Sequence, residues 1–325
     1  MEKLTNEEEK RALELHKKSI IIDSLNASLM DEEYFEKMNK GGVTAWNYTV
    51  AMGQNLSETV KGIAQMYKLI KNSKYITLIE DTEDIKKAKK EGKTGVILGF
   101  QNVPPLEGNL DLLSIYHKLG VRIIQLSYHF KTICGDGCKE PSNSGLSLFG
   151  EELIKAMNKQ GMVVDLAHVG EKTELDAIEV SEKPCIASHS NIYSILPAPQ
   201  NKKDNMIKAL AKKGGVIGIT GFPRLVEPNP TLDMLLNYID YVVQLVGIDY
   251  VGIGTDFAEG WAEDPTRRKL LILIDGRIYN WPEGIETITK LPNITRGLIS
   301  RGYSDSDIEK ILGGNYMRVF KEVVG

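Results

Sequence analysis

Cysteine, long apolar runs and charge of one sign are what this sequence has least of. Three cysteines, Cys134, Cys138 and Cys185, stand among 325 residues. An odd set gives no disulfide framework, so a reduced, cytoplasmic setting is expected. No apolar run reaches the roughly 18 residues that a membrane span needs. The opening MEKLTNEEEKRALELHKKS is too charged to hold the apolar core of a signal peptide. Basic and acidic residues nearly cancel, 40 against 44, and are interspersed. That argues against a nucleic acid or an anionic membrane surface as partner and leaves a small molecule. No G-x-G-x-x-G follows an early strand-like run, which removes the main sign of a doubly wound dinucleotide-binding fold. Histidine is scarce too, five in all, so the positions of the five carry information.

What is present is ordinary globular material, 42% hydrophobic and 26% charged, enough for a large core. The length suits two average domains or one α/β barrel. Short apolar, β-branched runs at 19–24, 41–50, 94–100, 121–128, 162–167, 184–188, 214–220 and 250–255 read as strands. Helical patterns separate them at 31–40, 56–73, 82–91, in NLDLLSIYHKLG closing on Gly120, and from Ser147 to a stop at Gly161. They continue in EKTELDAIEVSEK and at 205–213 and 231–246. In the helix over 6–18, Leu13, Leu15 and the alkyl stem of Lys18 are expected to cover one end of the core. Val60, Ile63, Met66 and Ile70 fall at helical spacing in the helix over 56–73. From 282 onward the chain reads as helical, with GYSDSDIEKILGGN as a capped helix and its glycine stop. Strands and helices alternate with no linker-like stretch. The pattern predicts an α/β fold, one (β/α)8 TIM barrel over 1–325, with the helix at 6–18 and helices at 282–322 packed on it.

In such a barrel, ligands gather at the carboxyl ends of the strands. His129, His168 and His189 fall at the ends of the fourth, fifth and sixth predicted strands, and Asp256 follows the eighth. Gln101 and Asn102 follow the third, and DSLNA follows the first. His168 and His189, one βα unit apart, point to a metal site or an acid/base pair, the plain alternative being two solvated histidines. Asp256 could ligate a metal, carry a proton or cap a turn. His16 and His117, inside helical patterns, read as surface or packing residues. Trp46, Tyr48 and Tyr128 could hold a cationic substrate group or simply pack. The C-x3-C spacing of Cys134 and Cys138 is sparse for a zinc thiolate site; it reads as a loop with Cys138 near the site.

The segments EGKTGVILGF, LGVRIIQLSYH, GLSLFGEELIKAMNKQGMVVDLAHVG, PCIASHSN, ALAKKGGVIGI, YVGIGTDF and LPNITRGLISRGYSDSDIEKILGGNYMRVF resemble the membrane (renal) dipeptidase family, peptidase family M19. The resemblance runs from about residue 18 to the end and keeps motif order. It implies a metal-dependent, amidohydrolase-like barrel in which a binuclear zinc centre splits dipeptides and tolerates a D- or dehydro residue at the C-terminal position. It implies that His168 and His189 are zinc ligands, His129 orients substrate and Asp256 is the acid/base group. The family's H-x-D after the first strand falls on Leu25 and Ala27, its bridging glutamate on Gln101, and its substrate-carboxylate arginine on Gln200. The strand-one end and GFQN resemble a bacterial subset of the family that shares these changes.

Leucine and alanine offer no lone pair, and glutamine offers only a neutral carbonyl. A binuclear centre is therefore not expected: one Zn2+ on His168 and His189, with Gln101 or Asp256 in support, or no metal at all. The leading reading is a mononuclear, dipeptidase-like metallohydrolase. Asp256 takes the water's proton, His129 stabilises the oxyanion, and Asn102, Trp46 and Tyr128 help hold substrate. A second reading is altered chemistry on a small molecule other than a dipeptide, and a third is a non-catalytic binder. The resemblance also allows a homodimer, with no interface legible in the sequence.

Overall fold

The computed structural model describes residues 4–227, 229–275 and 280–325. Its strands are β1 (Ile22–Asp23), β2 (Ala45–Ala51), β3 (Ile76–Leu78), β4 (Thr94–Phe100), β5 (Val121–Gln125), β6 (Val163–Asp165), β7 (Ile186–Ser190), β8 (Val216–Ile219) and β9 (Val251–Ile253). All pairings are parallel. β1 pairs with both β2 and β9, and β2 also pairs with β4. The sheet therefore closes on itself as a (β/α)8 barrel, with β3 outside the ring. β3 is a short flank that the sequence reading did not anticipate. It pairs with Thr94–Val96 of β4, while β5 takes the later half from Leu98 to Phe100.

Several helices begin where the sequence supplies a cap. Thr5 with Glu8, and Asn55 with Glu58, form reciprocal capping boxes. Ser147 accepts from the Gly150 N–H at the head of the helix Leu148–Gln160, which Gly161 ends in the left-handed region as expected. Three expectations change. In the helix Asn6–Lys18 the buried face is Ala12, Leu15 and His16, while Leu13 is 48% exposed. His16 is a packing residue whose ring bridges Thr295 and the Gly41 carbonyl. Residues 282–287 are not helical. Nor do Gly313 and Gly314 stop the terminal helix: the chain passes through a π turn at Lys310–Gly314 into the helix Asn315–Val323. A Cβ on Gly313 would lie 2.4 Å from the Ile20 carbonyl oxygen, so glycine lets this turn press onto the backbone before β1.

That last helix plugs the barrel. Tyr316, Val319, Phe320 and Val323 pack among Ile22, Ile97, Ile123, Val163, Ile186 and Val216. With the amino-terminal end filled by apolar side chains, the carboxyl end remains for chemistry.

Candidate active site

At the carboxyl end of the strands lies a cavity of about 610 Å³ lined by His129, His168, Gln101, Gln200, Arg224 and Asp256, with Tyr48 and Tyr128 on its walls. Two of these residues hold non-glycine backbone in the left-handed region, His129 at φ 64° and Asp256 at φ 55°. Such conformations persist where the surroundings over-determine them. The Asp256 N–H donates to the Leu25 carbonyl at 2.9 Å. Behind His129, the loop carrying Cys138 is knitted to both histidine segments. The Cys138 N–H donates to the His168 carbonyl and the Lys139 N–H to the His129 carbonyl, each at 2.8 Å. A Cβ on Gly137 would lie 2.3 Å from the His129 carbonyl carbon, so only glycine permits this approach.

The three strand-end histidines form one chain of contacts. Asp165 accepts from Ser188 Oγ at 2.5 Å, and Ser188 Oγ meets His189 Nδ1 at 2.7 Å. His189 Nε2 and His168 Nε2 are 2.8 Å apart, His168 Nδ1 and His129 Nδ1 3.2 Å, and Cys138 Sγ lies 3.5 Å from His129 Nδ1. With Asp165 ionised, the protons have one assignment. Ser188 donates to the carboxylate, His189 donates from Nδ1 to Ser188, and His168 donates from Nε2 to His189. His168 then turns a bare Nδ1 toward His129.

Burial sets the charge states. It pushes His129 down to about 3, with the nearby Lys139 and Arg224 charges adding to the effect. It likewise brings His189 down to about 3 and holds His168 well below the ordinary histidine range. All three imidazoles are neutral at neutral pH, which suits lone-pair donors and neutral hydrogen-bond donors rather than cations. Burial moves carboxylates the other way. Asp165 is raised, and Asp23 is raised to about 6 despite hydrogen bonds from Thr255 and Asn26.

The cavity gathers His129, His168, Gln101, Asp256 and Tyr128, whose ring packs on His129 and His168 at 4.5 and 4.3 Å between centroids. His189 stands behind His168, fully buried and off the cavity wall. Trp46 is a correction. It starts β2, far from the carboxyl end, and packs in the core on Phe35. Asn102 is another, since its side chain accepts from the Val103 N–H and does not line the cavity. Leu25 is fully buried and Ala27 lines the cavity. Gln101 Nε2 donates to Thr49 Oγ1 at 2.8 Å. Cys134 is buried, its thiol pushed up to about 12.

The sequence reading missed Arg224. Its Nη2 donates to Gln200 Oε1 at 3.3 Å, so a guanidinium stands beside the position where Gln200 replaces the expected arginine. The signal is in the sequence: GFPRLV follows the seventh predicted strand. Also missed was Lys202, whose Nζ donates to Glu174 at 2.6 Å and to the Leu166 carbonyl at 2.7 Å. This buried ion pair braces the segment that carries His168.

Comparison with known proteins adds an independent line. Residues 9–273 and 275–324 match the family "Membrane dipeptidase (Peptidase family M19)". A curated relative, dipeptidase tcpJ of Claviceps purpurea, is 32% identical over 246 residues, 74% of this chain and 54% of that protein. The chain thus spans about half the length of this relative. A solved amidohydrolase from Pseudomonas aeruginosa superposes with a TM-score of 0.91 at 38% identity, covering 97% of this chain and 99% of that one. A metallo peptidase from Rhodobacter sphaeroides, liganded with a phosphinate mimic of L-Ala-D-Ala, shares the fold at a TM-score of 0.81 and 17% identity, covering 94% and 99%.

Proposed function

The chain belongs to the membrane dipeptidase family, peptidase family M19, and from that premise we propose that it hydrolyses an amide bond in a small substrate bearing a carboxylate. The observation that carries this reading is the convergence of Asp256, His129 and Arg224 on one cavity of dipeptide size. Asp256 takes the proton of the attacking water and passes it to the departing amine. His129 is neutral and lines the cavity; were its Nδ1 to ligate a metal, its proton would sit on Nε2, a donor for the carbonyl oxygen as negative charge builds there. Arg224, backed by Gln200, supplies the planar cation that a substrate carboxylate wants.

The two-metal centre of the family does not fit these residues. Leu25 and Ala27 have no side-chain donor atom, and Gln101, its amide N–H on Thr49, offers only a neutral carbonyl oxygen in place of a bridging carboxylate. A single divalent ion, zinc by family habit, fits at the histidines; when bound it supplies an acidified water and a polarised carbonyl. His168 is the ligand with access to the cavity, while His189 has its Nδ1 on Ser188 and its Nε2 on His168. The enzyme works as one domain in the cytoplasm. Supporting this, all three cysteines are free, and among the described residues no helix is long and apolar enough to cross a membrane.

The test is a panel of dipeptides with L-, D- and dehydro residues at the C-terminal position, beside N-acyl amino acids and C-terminally amidated analogues, read by release of free amine. Turnover is expected from at least one carboxylate substrate, with KM raised for its amide. No amine from any member would contradict the proposal. The changes at Leu25, Ala27 and Gln101 favour a second reading, altered chemistry on a small molecule other than a dipeptide. It predicts product only from non-peptide amides or esters.

A further inference from the structure

Among the described residues, one group of three potential ligands brings its donor atoms together: His129, Cys138 and His168, all within 4.8 Å of one another. We propose that this is the protein's metal site, a mononuclear zinc centre on His129 Nδ1, Cys138 Sγ and His168 Nδ1, with a fourth position open to the cavity. His189 then serves as the hydrogen-bonded partner of His168 rather than as a ligand.

The distances carry the argument. Zinc binds imidazole nitrogen at about 2.0–2.1 Å and thiolate at about 2.3 Å, so a tetrahedral ion sets its ligands about 3.3 Å apart for two nitrogens and about 3.5 Å for nitrogen and sulfur. Two of the three observed separations match, 3.2 Å between the two Nδ1 atoms and 3.5 Å from Sγ to His129 Nδ1; the third, from Sγ to His168, lies within 4.8 Å, and ion binding would draw the thiol in. The proton assignment agrees. The relay from Asp165 through Ser188 and His189 takes the Nε2 proton of His168 and leaves Nδ1 as a lone pair aimed at the site. A carboxylate-backed relay that fixes the tautomer of a ligand histidine is the usual support of a metal site.

The loop geometry is the third strand of evidence. Backbone hydrogen bonds from Cys138 and Lys139 to the carbonyls of His168 and His129 hold the thiol at both histidines, and Gly137 makes that approach sterically feasible. Two histidines and a cysteine give three protein ligands plus an open position, the pattern of a catalytic rather than a structural zinc site. His129 and His168 line the cavity while Cys138 does not, so the thiolate closes the back of the site and the open position faces substrate.

This site deepens the hydrolase proposal, but its test needs no turnover. Full-length protein stripped of metal and titrated with Co2+ is expected to bind one equivalent and develop a thiolate-to-cobalt charge-transfer band in the near ultraviolet. Cys138→Ser abolishes the band although Cys134 and Cys185 remain. His189→Gln keeps the band with affinity weakened roughly 10–100-fold. X-ray absorption on the zinc-loaded wild type guards against a misfolded variant and is expected to show one sulfur at about 2.3 Å. The proposal is overturned by a zinc shell without sulfur, by a band that survives Cys138→Ser, by loss of binding in His189→Gln with Cys138→Ser unaffected, or by no stoichiometric metal. Each of these leaves the amide-hydrolysis assay free to succeed or fail on its own.

Discussion

Asp23 shows how one buried carboxylate can tie two strands and still weaken the fold. It ends β1 and accepts from the Thr255 N–H at 2.8 Å and its hydroxyl at 2.7 Å, joining β1 to the residues after β9. Burial outweighs those bonds and raises it from 3.8 to about 6. The folded state therefore holds the proton more tightly than the unfolded chain. The stability linked to that proton is fully present below about pH 4 and lost as pH rises through about 6, a change of roughly 3 kcal/mol. Denaturant unfolding of wild type and Asp23→Asn over this range is expected to give a difference that shifts by that amount. A difference independent of pH would contradict it. Single-residue misreadings have equally local causes. Trp46, expected to help hold substrate, lies at the start of β2 and packs on Phe35; strand alternation decides the face, and register cannot be read from composition.

At the level of elements, the histidine-bearing segments were legible because each follows a short β-branched run whose polar tip marks the carboxyl end. β3 was not, since three residues flanking half of one strand leave no periodic pattern. The π turn at Lys310–Gly314 was hidden for a related reason. Two glycines ordinarily end a helix, and only the Ile20 backbone pressed against Gly313 shows that they serve close packing. The terminal helix beyond it closes the barrel floor. Phe320→Ala empties that floor and is expected to cost about 3–5 kcal/mol in denaturant unfolding. Amide turnover at the opposite end should change far less. Stability within 1 kcal/mol of wild type would show that the plug contributes little.

For the molecule as a whole, alternation of strand and helix was enough to expect a barrel, and three of the five scarce histidines fall at the strand ends beside the cavity. The wiring of that end was not legible. The order Asp165, Ser188, His189, His168, His129, Cys138 is made by folding, which brings together strand ends distant in sequence. Arg224 beside Gln200 is the same kind of fact: the charge missing at one strand end is present at the next. These contacts support the proposed amide hydrolysis, with Asp256 moving the proton at this cavity. The measurement that tests it most directly is kcat/KM of Asp256→Asn against wild type on a substrate the wild type turns over, with circular dichroism confirming that the variant is folded. A fall of roughly 10²–10⁴-fold is expected; a folded variant with wild-type kcat/KM would contradict the role of Asp256.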